Sequence, residues 1–176
     1  MYEKHSPQAI GDAGSIYLSE PLYLTNATAC AIVLEPGATL FALAWGGQFP
    51  PFVSTPLASA ARQYRLGLGS SPFGEVSFLN IDQCVSCAIG GGGIINGNGP
   101  AWWSNHTFKS HPKLISIKDS RDFALWNFTA TNGAYHIIEL GADDVEVAYM
   151  DIVINWTKAI NPRGVRATRV GDSAQN

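Results

Sequence analysis

Short apolar runs recur along the chain, and each is closed by Gly, Asn, Asp or Pro. They are "SIYLSEPLYL" (15–24), "CAIVLEPGATLFAL" (30–43), "VSFLNI" (76–81), "KLISIKD" (113–119), "DFALWNFTATN" (122–132), "YHIIELG" (135–141) and "VEVAYMDIVI" (145–154). Each is continuously apolar or alternates with a period of two. That length and period predict short strands, and helix signals are poor. In "VEVAYMDIVI", Val145, Val147, Tyr149, Asp151 and Val153 share one side, while Glu146, Ala148, Met150, Ile152 and Ile154 share the other. Asp151 interrupts the first set, so the segment is expected to change side at a bend.

The strands repeat. Ile115 and Ile137, Asp122 and Asp144, Phe123 and Val145, and Phe128 and Met150 each recur at a spacing of 22 residues. A unit of this length built only of strands and turns cannot bury its apolar faces alone, so successive units must stack as coils of a parallel β-helix. Asn96-Gly97 and Asn132-Gly133 keep a hairpin-built sandwich open as the alternative. The predicted fold is all-β, with a β-helix domain over 14–154. A Pro-rich loop over 45–74 leaves the stack, and 155–176 is expected to be an irregular tail.

The glycine-rich stretch "GGGGIINGNGPAWW" (90–103) fits no phosphate-binding loop: it lacks both the final glycine of a dinucleotide fingerprint and a following Gly-Lys-Ser/Thr. Ile94-Ile95 in its middle argue against a flexible linker. The stretch reads as a strand between two sharp corners, with Trp102 and Trp103 capping a projecting loop against the stack.

Composition narrows the function classes. Hydrophobic residues make up 46% of the 176 and charged residues 14%, as in one folded domain. A net charge of −3 leaves no basic footprint for nucleic acid or an anionic membrane, and no apolar run is long enough to span a bilayer. Four Asn-x-Ser/Thr sequons, at Asn26, Asn105, Asn127 and Asn155, predict glycosylation and an extracellular, secreted protein. No apolar stretch follows Met1–Pro7, so no signal peptide is read there and the N-terminus is expected to be incomplete. The three cysteines, Cys30, Cys84 and Cys87, cannot all pair. Neither a zinc site nor a thioredoxin-like motif fits them, and buried thiols or one disulfide are expected. No cofactor is predicted. His106 and His111 lack a third ligand, so no metal site is expected either.

The stretch 90–103 resembles the G-x-G-x-I-D-G-x-G-x-x-W-W signature of polygalacturonases, glycoside hydrolase family 28, with Asn96 in place of the usual Asp. "LYLTNATACAIVLEPGATLFAL" resembles the family's upstream Glu-x-Gly-Ala-Thr-Leu strand, and 111–154 resembles its next two coils. The resemblance implies a right-handed, pectin-lyase-like parallel β-helix and inverting hydrolysis of α-1,4-galacturonosyl bonds in pectin. The partner implied is a homogalacturonan-like pectic polysaccharide, and the full-length form is expected to be a monomer.

The family's catalytic Asn-Thr-Asp, Asp-Asp, Gly-His-Gly and Arg-x-Lys segments should begin soon after Ile154. None follows there, so no catalytic residue is assigned. The chain is expected to be a truncated fragment, inactive and poorly soluble alone because its last coil exposes an edge. A non-catalytic carbohydrate-binding or structural β-helix is the alternative. Asp143-Asp144 could be a carboxylate pair, but Asp144 repeats the turn position of Asp122 and is read as a turn. Tyr135 and His136 fall one coil before the expected catalytic segment and are the candidate carbohydrate-binding residues. Arg163, Arg166 and Arg169 read as a solvated end, with uronate binding as the other reading.

Overall fold

A computed structural model describes residues 8–43, 77–103, 111–154, 157 and 164–167. Its strands are β1 (Gln8–Gly11), β2 (Ile16–Ser19), β3 (Leu22–Thr25), β4 (Ala31–Leu34), β5 (Thr39–Ala42), β6 (Leu79–Asp82), β7 (Val85–Gly90), β8 (Ile94–Asn96), β9 (Ile115–Trp126), β10 (Thr129–Thr131), β11 (Ile138–Ala148), β12 (Asp151–Val153) and β13 (Val165–Ala167). Every pairing among them is parallel. Hairpins would give antiparallel pairs, so the sandwich alternative falls and the fold is a parallel β-helix.

The strands form three walls. Wall A stacks β1, β4, β7 and the later halves of β9 and β11. Wall B stacks β2, β5, β8, β10 and β12. Wall C stacks β3, β6, the first halves of β9 and β11, and β13. The chain runs A, B, C in each turn, giving five rungs among the described residues. Alternate side chains point inward, and the middle rungs seal best: Ile89, Ile95, Ile117, Phe123, Leu125 and Ala130 are fully buried. Burying each large side chain contributes about 1.5–3 kcal/mol, and only stacking buries it.

Short corners demand unusual backbone. Between walls C and A, Asn26 and Ala29, Gln83 and Ser86, Asp119 and Asp122, and Asp144 all take the left-handed conformation. Between walls A and B, Gly91 and Gly92 have φ of 112° and 92°. A Cβ on Gly93 would lie 2.5 Å from the Cβ of Leu34. The glycine stretch is therefore a tight corner around strand β8, as its sequence suggested.

Several expectations are corrected. Ile115 pairs with Ile138, not Ile137, and the register recovers between Gly141 and Ala142. Asp119 is the extra residue, a bulge in left-handed backbone. Phe123 with Val145 holds as expected. The stack begins before residue 14, at β1. The tail is not wholly irregular, since β13 pairs with Ile138–Leu140. "VEVAYMDIVI" does bend, at left-handed Tyr149, so Val145 packs on the core before the bend and Met150, Ile152 and Ile154 after it. The loop expected over 45–74 lies outside the described residues.

Candidate functional site

Wall C carries the charge. Its inward residues, Leu79, Ile81, Ile115, Ile117 and Ile138, are buried, so their strand neighbours face outward. One outward register line runs Tyr23, Asn80, Ser116, Glu139, and the next runs Thr25, Asp82, Lys118, Gly141. Arg166 occupies the register position beyond Glu139. Asn80 is locked into the wall: its amide donates to the carbonyls of Ser77 (2.7 Å) and Leu22 (3.3 Å) and its Oδ1 accepts from the Ser77 N–H (3.0 Å).

Lys113 and Glu139 form an ion pair with Nζ to Oε2 at 2.5 Å, and their side chains are only 10% and 13% exposed. The Lys113 ammonium donates to the Glu139 carboxylate in this pair. Around it the charges alternate. Burial raises the pKa of Asp82, the nearby charge of Asp119 raises it further, and Lys118 opposes both. Burial lowers the pKa of Lys118, as does repulsion from Lys113, while Glu139, Asp82 and Asp119 offset part of this. The outcome is a partly desolvated face on which Lys113 and Lys118 stand among the carboxylates of Asp82, Asp119 and Glu139.

Tyr135 and His136 end the short connection 132–137 between walls B and C. Their rings stack with centroids 3.7 Å apart and planes at 22°. His136 is buried and Tyr135 half-buried, so Tyr135 has the greater access to solvent. The His136 carbonyl accepts the Leu114 N–H at 2.9 Å, which straps this connection beside Lys113. The neighbouring rung contributes the loop after β8. There Trp102 is buried against Ala134, the Trp103 indole donates to the Gly133 carbonyl (3.4 Å), and the buried His111 Nε2 lies 3.0 Å from the Trp102 carbonyl. Both tryptophans thus fasten the loop to the stack. His111 is committed to that loop, and His106 lies outside the described residues. No cluster of three metal-ligating side chains occurs among the described residues.

The remaining candidates do not converge on this face. Asp143 and Asp144 are exposed at the C–A corner, with Asp144 in the same left-handed conformation as Asp122. They lie within β11 where it rounds the corner, rather than in a turn between strands. A shallow groove of about 320 Å³ lies there, lined by Gln83, Val85, Asp119, Ser120, Arg121 and Asp143. It is at the opposite edge of wall C from Tyr135. Asn26 and Asn127 are exposed at corners, whereas Asn105 and Asn155, like Arg163 and Arg169, lie outside the described residues. Sequence reasoning missed Lys113, Lys118, Glu139 and Asp82. The available signal was a charge at an alternate position of an otherwise apolar strand, as in "KLISIKD" and "YHIIELG".

A family model for glycosyl hydrolases family 28 matches residues 69–171. No curated protein matches the chain. Among solved structures, the chain is similar to one from Parabacteroides merdae ATCC 43184, described as a "putative glycosyl hydrolase". The TM-score is 0.53 at 17% identity, covering 93% of this chain and 81% of that one. At that identity the likeness speaks to the fold alone.

Proposed function

The chain belongs to glycosyl hydrolases family 28, and from that membership we propose that it is the substrate-holding part of a polygalacturonase-like enzyme, with homogalacturonan as its ligand. The observation that carries this reading is the outward face of wall C, where Lys113, paired with Glu139, lies by the connection that carries the stacked rings of Tyr135 and His136, and Lys118 follows further along the same face. Galacturonate repeats one carboxylate per sugar. Ammonium groups on a partly desolvated surface pair with such carboxylates, and a tyrosine ring covers the apolar face of a sugar. The full-length enzyme acts as a secreted monomer on pectic polysaccharide. The exposed corner positions of Asn26 and Asn127 support glycosylation there.

The 176 residues themselves bind without cleaving. Inverting hydrolysis needs one carboxyl to protonate the leaving oxygen and another, about 6.5–9.5 Å away, to activate water. Glu139 is committed to Lys113, and the adjacent acids Asp143 and Asp144 lie in β11 at another edge, where the strand rounds the C–A corner. The sequence contains no Asn-Thr-Asp, Gly-His-Gly or Arg-x-Lys segment. That absence also favours the second reading for this stretch, a carbohydrate-binding β-helix without activity.

Titration calorimetry with oligogalacturonate, run beside a reducing-end assay on polygalacturonate, tests the proposal. Binding that weakens with salt and is lost in Lys118→Met, with no new reducing ends, is the expected result. Indifference to oligogalacturonate would remove the substrate assignment, and release of reducing ends would remove the claim of inactivity.

A further inference from the structure

The corner between β6 and β7 holds two thiols that the carbohydrate-binding reading does not use. Cys84 and Cys87 flank Val85-Ser86, and left-handed Ser86 turns the chain so that both side chains enter the core. Both are buried and both are free thiols in this structure. They converge on the corner of the neighbouring rung. The Cys84 Sγ donates to the Leu24 carbonyl at 3.5 Å, and the Cys87 Sγ to the Ala27 carbonyl at 3.7 Å. Burial raises the pKa of the Cys84 thiol, and Cys87 lies close enough to raise it further by charge repulsion.

Cys30 stands apart in orientation. Ala31 pairs with Ala88, which makes Cys30 the cross-rung neighbour of Cys87 along the backbone. Its own Sγ, however, turns to the Thr28 carbonyl at 3.4 Å, and the residue is only half-buried. Backbone proximity thus favours Cys30 as the partner of Cys87, while side-chain direction and shared burial favour Cys84.

We infer that Cys84 and Cys87 form a disulfide across the Val85–Ser86 corner when the chain folds in an oxidising compartment, leaving Cys30 as the odd thiol. The oxidant is a small-molecule disulfide such as glutathione disulfide. One cysteine thiolate attacks it and expels the first glutathione thiolate; the second cysteine then attacks the protein sulfur of the mixed disulfide and expels the second glutathione thiolate. The two cysteines give up two protons and two electrons, and the oxidant is reduced to two thiols. Timing matters. Burial, the leading cause, and the neighbouring Cys87 raise the Cys84 pKa to about 11. A thiol shifted that far has about 100-fold less thiolate near neutral pH than an ordinary cysteine. Exchange therefore belongs to folding, before the rungs close over the pair.

The test uses the full chain, expressed through an oxidising secretory host and purified in iodoacetamide. It is then unfolded and relabelled before and after reduction, with peptide mass spectrometry locating the labels. Cys30 alone labelled before reduction, with Cys84 and Cys87 labelled only afterwards and lighter by two hydrogens until then, is the expected pattern. The Cys30→Ser variant keeps the closed pair. Labelling of all three before reduction, a bond containing Cys30, or open thiols at Cys84 and Cys87 in Cys30→Ser would each overturn the inference.

Discussion

At the corner between walls C and A the chain turns without leaving the stack, whereas between walls B and C the connections differ in length: 20–21, 43–78, 97–114 and 132–137 in successive rungs. The first corner is a spine. Strands β9 and β11 run through it unbroken, and left-handed residues repeat there from rung to rung. The second corner is a workshop: its connections differ in length, and they bring Trp102, His111, Tyr135 and His136 to the flank of wall C. A β-helix can thus hold one edge to a strict geometry and spend sequence variety on another. Substitutions at the spine should act on folding, and those at the other corner on ligand binding.

The largest effect is expected from Phe123→Ala, just past the spine. Its ring is fully buried between rungs, so truncation should cost about 3–5 kcal/mol of unfolding free energy in denaturant titration. Glu139→Gln comes next and sharpens the contrast. It leaves the mostly buried Lys113 unpaired and should cost about 2 kcal/mol. It should also tighten oligogalacturonate binding in calorimetry, because Lys113 is released to the ligand. Weaker binding would break the division between the two corners. Tyr149→Asn should stabilise by about 0.5–1 kcal/mol in the same titration, since Tyr149 is 89% exposed and sits at φ 55°, a conformation Asn tolerates far better. The smallest effect depends on pH. Burial raises the Asp82 pKa, so the folded chain binds more protons than the unfolded one between the ordinary carboxylate value and the raised one. Stability falls as pH rises through that window. Melting curves of Asp82→Asn should match the parent at low pH and lie above it near neutrality.

Much of the spine was legible in the sequence and little of the flank. Phe123 with Val145 and Asp122 with Asp144 could be paired because both steps follow the bulge, where the spacing is constant. Ile115 with Ile137 failed because Asp119 adds a residue upstream, and a slip of one is invisible where Ile137 and Ile138 are both apolar and both buried. Asp and Asn at left-handed corners can be read from their own chemistry. Ala29, Gln83, Ser86 and Tyr149 in the same conformation cannot, because stacking imposes it on them. The ion pair of Lys113 with Glu139 escaped for a similar reason. It joins adjacent rungs at offset positions, which becomes visible only once the register is known.

Asp119 carries a consequence for how such molecules diverge. A left-handed bulge at a solvent-facing edge can take in or give up a single amino acid while the oily interior keeps its alignment. Lineages of this architecture should therefore accumulate one-codon gains and losses at that edge, and coil lengths should drift there without harm to the fold.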